Sequence, residues 1–201
     1  MRVVERPQGA NRETTDQELT ELAAVGDLHA FEQLVARHRN KLYNLARRLT
    51  DTDEDAEDVL QEALFNAFRA IPGFNGDARF TTWLYRITVN CALTKRRQRT
   101  LSTVSLDEPI PGVEGLTARD LQDTSPDPLG MLIASESEQI LGKAIAELPP
   151  KHRAPFVLRH IEGLSGDEIA RILKISVPAL KSRLHRTRQV LREALTEHTW
   201  N

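Results

Sequence analysis

The chain has 201 residues, 27 Lys+Arg against 29 Asp+Glu, a formal net charge of -2, and 40% hydrophobic residues with only 5% aromatics. That is enough apolar material for one domain or two small ones, while a single cysteine, Cys91, excludes a disulfide scaffold and a Cys-rich structural zinc site. No apolar run nears the ~20 residues of a membrane span, and the polar stretch Met1 to Glu21 lacks an apolar h-region, so a reduced, cytoplasmic setting with no membrane insertion is expected.

Taken in chain order, residues 1–18 read as a polar, disordered leader. Periodicity starts near Leu19; Phe31, Leu34, Val35, His38, Leu42, Leu45, Ala46 and Leu49 then recur at helical spacing. A break at Thr50–Thr52 follows, with Asp51 or Asp53 as candidate caps. Ala56, Val59, Leu60, Ala63, Leu64, Ala67, Phe68 and Ile71 mark a second helix, which Pro72-Gly73 stops. A Gly-containing loop, Phe74 to Arg79, leads into a third helix over about 81–97. Residues 101–133 are rich in Pro, Gly and acid and read as a flexible linker. Helical pattern resumes near Met131, stops at Pro149-Pro150 and returns over His152 to His160. No segment alternates with period two. The expected fold is all-α, with two small helical domains at 19–100 and 134–198 joined by that linker.

The near-zero net charge conceals segregation by sign. Every charge from Asp51 to Glu62 is acidic, Lys95, Arg96, Arg97 and Arg99 form a basic knot, and every charge from Arg171 to Arg192 is basic. Two basic zones separated by acidic ones suit two contacts with phosphate.

The sharpest motif opens at Gly163. Ser165 and Glu168 have capping-box spacing and predict a helix start. Lys174-Ile175-Ser176 is a short turn, Ser176 a candidate cap, and Pro178 is tolerated in the first turn of the next helix. Leu180, Leu184, Leu191 and Leu195 form the inner stripe of that helix, leaving Lys181, Ser182, His185, Arg186 and Gln189 outside. This is a helix-turn-helix pattern, whose second helix fits the DNA major groove; the bland alternative is a solvated basic face. In the first half, Phe74 to Asn90 interleaves aromatics with Arg, Asn and Thr, a mixture suited to single-stranded nucleic acid. For Trp83, Leu84 and Ile87 the reading as core largely holds, whereas Arg86, Asn90 and Lys95 are harder to explain that way.

Taken together, Asp55 to Ala63, Phe74-Asn75-Gly76-Asp77, Phe80 to Ile87, Leu148-Pro149, Gly163 to Ala170 and Lys181 to Arg188 resemble, in order and spacing, a bacterial RNA polymerase sigma factor of the extracytoplasmic-function (ECF) type. The resemblance spans about residues 19–196. It implies that the first domain is sigma region two, whose Asp58, Gln61 and Glu62 dock on the β′ clamp helices of core polymerase. It implies that Asn75, Gly76, Asp77, Arg79, Trp83, Arg86, Asn90 and Lys95 recognise and melt the minus-ten promoter element. The second domain would be region four, bound to the β-flap, with Lys181, Ser182, Arg183, His185 and Arg186 on the minus-thirty-five element. The acidic linker would thread the polymerase cleft. An anti-sigma factor is the further partner such a protein implies; no cofactor, metal or catalytic residue is. The rivals are an autonomous helix-turn-helix regulator, which needs neither the acidic helix nor the aromatic segment, and an enzyme using Asp55, Asp58 and Glu62, which lacks a His partner at suitable spacing. Lys181 stands where relatives often carry Arg, and lacks the bidentate fork.

Overall fold

The computed structural model describes residues 14–102 and 135–199. All its regular elements there are helical, in the order α1 (Asp16–Ala24), α2 (Leu28–Leu49), α3 (Asp53–Ala70), a 3-10 turn (Ile71–Gly73), α4 (Phe80–Ser102), α5 (Ser135–Glu147), α6 (Pro150–Phe156), a π turn (Val157–Ile161), α7 (Gly166–Leu173) and α8 (Val177–Thr199).

α1 begins inside the stretch assigned to the leader, because Thr15 and Glu18 form a capping box. Asp16 then ties α1 to α2: its carboxylate accepts from Arg37 at 3.0 Å and lies 2.7 Å from His38 Nε2. Burial pushes the Asp16 carboxyl up, but the hydrogen bonds from Arg37 and His38 outweigh it and hold the pKa below its ordinary value. Asp27 caps α2, accepting from the Ala30 N–H at 3.1 Å. α2 buries Leu34, His38, Leu42, Leu45 and Leu49, the stripe its sequence predicts.

The cap of α3 differs from expectation. Thr52, not Asp51 or Asp53, accepts from the Asp55 N–H at 3.1 Å. Asp51 is engaged by arginines, while Asp53, Glu54 and Asp55 occupy the first turn, where carboxylates favour the positive end of the helix dipole. α3 packs on α2 and α4 through Ala56, Val59, Leu60, Ala63 and Ala67. Phe68, expected in that stripe, is 44% exposed and meets Phe31 edge-on at 5.2 Å.

In the second domain the expected helix over His152 to His160 is divided. Pro155 lies within α6 and has no N–H to give the Lys151 carbonyl. The chain then widens into the π turn, closed by the Glu162 N–H donating to the Val157 carbonyl at 3.1 Å. α8 packs on α5, α6 and α7. The linker expected at 101–133 falls outside the described residues, apart from Leu101 and Ser102, which continue α4. The two domains touch: α5 and α6 rest on α2, and α7 on α4.

Candidate nucleic-acid interface

The loop before α4 is anchored by its aromatic ends and free at its tip. Phe80 and Trp83 are buried, and Phe74 packs on both, with ring centroids 5.9 and 5.2 Å away. His38 from α2 closes the cluster against Phe80 at 5.6 Å. Trp83 therefore holds the loop down instead of facing solvent. Between these anchors Asn75, Gly76, Asp77 and Arg79 are exposed. Asn75 folds over the turn: its side-chain amide donates to the Asp77 carboxylate, and the Asp77 N–H donates back to Asn75 Oδ1 at 3.4 Å. Gly76 sits at φ +79, a conformation that favours glycine.

Arg86 and Asn90 are exposed one helical turn apart on α4, so they share a face. Lys95 does not join them. It lies nine residues past Arg86, about half a turn out of phase at 100° per residue, and its ammonium reaches Asp58 at 2.8 Å and Asp55 at 3.9 Å. Arg99 pairs with Asp55, and Arg96 with Asp51 at 3.3 Å. The basic end of α4 is thus engaged with the acidic start of α3.

That leaves a defined outer face on α3. Asp58, Gln61 and Glu62 are all exposed. Phe65 is 60% exposed and, on a helical wheel, falls between Gln61 and Glu62. The Arg69 guanidinium lies 5.6 Å from the Phe65 ring centre. Gln61 also borders a shallow groove with Arg39, Asn40 and Tyr43 of α2. The motif reading missed Phe65, although its phase, six residues beyond Val59, places it outside the buried stripe.

The helix-turn-helix forms as its sequence predicts. Ser165 and Glu168 make the capping box, the Ser165 N–H donating to Glu168 at 2.9 Å and the Glu168 N–H to Ser165 Oγ at 3.3 Å. The Ser165 backbone N–H and then its hydroxyl hold the Glu168 carboxyl below its ordinary pKa, against burial and with help from Thr82. Lys174 turns the chain at φ +52, a left-handed conformation unusual for a residue with a Cβ. Ser176 caps α8 by accepting from the Ala179 N–H at 3.3 Å.

Leu180, Leu184, Thr187 and Leu191 face inward from α8. Lys181, Ser182, His185 and Arg186 are exposed. At 100° per residue these outer groups fan over an arc of about 140°, ordered Lys181, His185, Ser182, Arg186. The two cations stand at the edges, where a helix in a groove meets phosphate walls; His185 and Ser182 occupy the centre, where it meets base edges. Arg183 lies off this arc and is half-buried.

Among the described residues no group of three or more His, Cys, Asp or Glu side chains could hold a metal ion. None of the described helices is long and apolar enough to cross a membrane.

An exposed basic helix on one helical domain and an aromatic-anchored polar loop on the other define an all-α DNA-binding protein with two separate reading surfaces. Residues 34–101 match the family described as Sigma-70 region 2, and residues 138–191 that described as Sigma-70, region 4. The chain belongs to the sigma-70 family and, within it, to the ECF sigma factors. It is 35% identical to the RNA polymerase sigma-H factor of Pseudomonas aeruginosa, covering 90% of this chain and 93% of that one. It is also 35% identical to the ECF sigma-E factor of Escherichia coli K12, covering 90% and 94%. Among solved structures it resembles CnrH in complex with the cytosolic domain of CnrY (TM-score 0.62, 28% identity, 90% of this chain and 97% of that one). It also resembles RpoE in complex with the anti-sigma factor NepR from Bartonella quintana (TM-score 0.61, 25% identity, 83% and 96%).

Proposed function

We propose that the chain directs core RNA polymerase to promoters, reading and melting the minus-ten element with the first domain and binding the minus-thirty-five element with the second. The observation that carries this is the outward arc Lys181–His185–Ser182–Arg186 on a domain following, in the family's order, one whose loop tip and Arg86/Asn90 strip are exposed. Asn75, Gly76, Asp77, Arg79, Arg86 and Asn90 hold the opened strand, while Trp83 supports them from beneath. Capture of an extruded base offsets unstacking, which costs a few kcal/mol. Lys95 is assigned to the ion pair with Asp58 in the free chain. Asp58, Gln61 and Glu62, with Phe65 among them, form the docking face for the β′ clamp helices, and the second domain meets the β-flap.

The protein does no chemistry of its own and works in the cytoplasm. The similar RpoE was solved in complex with the anti-sigma factor NepR, and CnrH in complex with the cytosolic domain of CnrY; the first supports an inhibitory partner of that kind here. A free-standing helix-turn-helix regulator has no use for the first domain. Run-off transcription with core polymerase on genomic templates tests the reading: discrete, chain-dependent start sites are expected, and their complete absence overturns it.

A further inference from the structure

The aromatic cluster beneath the loop takes in one imidazole, and α1 holds it. His38 of α2 is 6% exposed and meets Phe80 at 5.6 Å, with the ring planes 64° apart. Phe80 in turn stacks on Trp83 at 5.6 Å, and Phe74 leans on both. An imidazole in apolar surroundings is tolerated only where its nitrogens are hydrogen-bonded. Nδ1 is buried with no hydrogen-bond partner among the described residues. The polar anchor of the ring is therefore Nε2, which lies 2.7 Å from Oδ2 of Asp16. Burial works against ionisation of Asp16, but the hydrogen bonds from Arg37 and His38 outweigh it and keep its carboxyl below the ordinary range. An ionised carboxylate can only accept, so Nε2 carries the proton and donates. Asp16 is itself set in place by the first turn of α1, where the Thr15/Glu18 capping box closes and the buried Thr20 hydroxyl donates to the Asp16 carbonyl.

Without the Asp16 acceptor both ring nitrogens would be buried and unpaired, which is costly. The relief open to the ring is to swing toward water, and the support under Phe80 goes with it. We propose that Asp16 and His38 are positioning residues of the promoter-reading loop: through their hydrogen bond, α1 keeps the imidazole under Phe80 and so fixes where the Asn75–Arg79 tip stands relative to the Arg86/Asn90 strip. His38 is buried and Asp16 sits on another helix, so both act through Phe80. The inference rests on the sigma reading above for the task of the loop, whereas the link itself stands on the contacts.

The test separates this from a plain staple between α1 and α2. Asp16→Ala strands the imidazole. Asp16→Asn gives up the charge and the Arg37 ion pair but keeps an oxygen to accept from Nε2. A His38→Phe background keeps a ring under Phe80 with no nitrogen to strand, so Asp16→Ala should be silent there. Every form carries Trp200→Phe, which leaves Trp83 as the single tryptophan. On the free chain, Trp83 emission reports the cluster: Asp16→Ala should shift it to the red and Asp16→Asn should not, with helical circular dichroism unchanged. In holoenzyme reconstituted with core polymerase, permanganate reactivity reads opening of the minus-ten element and co-purification reads core binding. A hydrogen bond to a charged group shifts a local equilibrium about tenfold and opening scales with the placed fraction, so Asp16→Ala should open promoters about three- to tenfold less at normal core binding. Asp16→Asn should match the parent. The proposal is overturned if Asp16→Ala opens promoters as well as the parent, loses helical signal, or is as damaging in the His38→Phe background; Asp16→Asn failing alongside Asp16→Ala overturns it too. A parent holoenzyme that opens no promoter removes the sigma reading instead, and Trp83 emission from the free variants still decides the Asp16–His38 link.

Discussion

The proposed function gives the α8 arc two kinds of contact, and charge removal distinguishes them. Lys181 and Arg186 stand at its edges, and neither has an ion-pair partner among the described residues, so both are available to phosphate. For duplex DNA, log K falls with log salt at a slope of about -0.9 per phosphate neutralised. Lys181→Ala with Arg186→Ala should make the slope shallower by about 1.8. Between 50 and 200 mM salt, a fourfold change, the variant would then lose about 12-fold less affinity than the parent, equivalent to ~1.5 kcal/mol. Fluorescence anisotropy of a labelled minus-thirty-five duplex over a salt series measures this. The loss should be nearly uniform across sequences, because phosphates carry no sequence information. Ser182→Ala with His185→Ala, near neutral pH, should do the reverse, changing the ranking of duplexes at nearly constant slope. An unchanged slope in the Lys181/Arg186 variant refutes the placement of α8 in the groove.

Two other perturbations address the remaining parts. Reversing Asp58 and Glu62 to Lys should abolish co-purification with core polymerase, and Glu62→Lys alone, which leaves the Asp58–Lys95 pair intact, should weaken it by about tenfold, or ~1.4 kcal/mol; normal recovery of the double variant removes α3 as the docking face. His152, on α6, has Nδ1 3.3 Å from the buried Thr187 hydroxyl of α8, and burial above all, with nearby Lys151, Arg183 and Arg186, lowers its pKa despite a hydrogen bond to the Arg183 backbone. A folded pKa below the unfolded value means that the unfolded chain takes up the proton more readily. Stability from this site is therefore complete above the unfolded value of about 6.5 and falls as pH drops through the folded value. Thermal unfolding should show a midpoint lower at pH 5.5 than at 7.5, with the difference reduced in His152→Gln; an equal difference in both forms would contradict the assignment.

Much of the fold was legible because each domain obeys local rules that its packing then respects. The α7–α8 unit is the clearest case: the Ser165/Glu168 box, the Ser176 cap and Leu180, Leu184 and Leu191 of the stripe appear where the sequence places them, while the side chain of Leu195 lies outside the described residues. Here short-range capping and a period near 3.6 decide the outcome together. The α3 cap was harder, since Asp51, Thr52 and Asp53 all suit the position. What selected Thr52 was the arginine pair that draws Asp51 away, one member of it about a hundred residues further along the chain. Likewise the division of the helix at Val157 depends on which carbonyl the missing Pro155 donor leaves free, and periodicity alone carries no such information.

The site divides along the same line. Phase around a helix was available for both Lys95 and Phe65: it sets Lys95 half a turn from Arg86 and Phe65 outside the buried stripe of α3. Lys95 looked like a nucleic-acid contact because basic residues cluster there, but its phase relative to Arg86 directs it toward α3. Phe65 drew no reading from the motifs, but its phase relative to Val59 directs it outward, and it is 60% exposed. Composition groups residues by chemistry, whereas a helix groups them by angle, and where the two disagree the structure follows the angle. Trp83 marks the limit of that rule: its phase on α4 is close to that of Asn90, yet it is buried. Phe74 and Phe80 cover it, and Phe74 arrives only because the loop folds back over the start of α4. The apolar pattern already suited Trp83 to a core, but a loop's return path depends on contacts remote in sequence, so the rings that cover it are seen only in the fold.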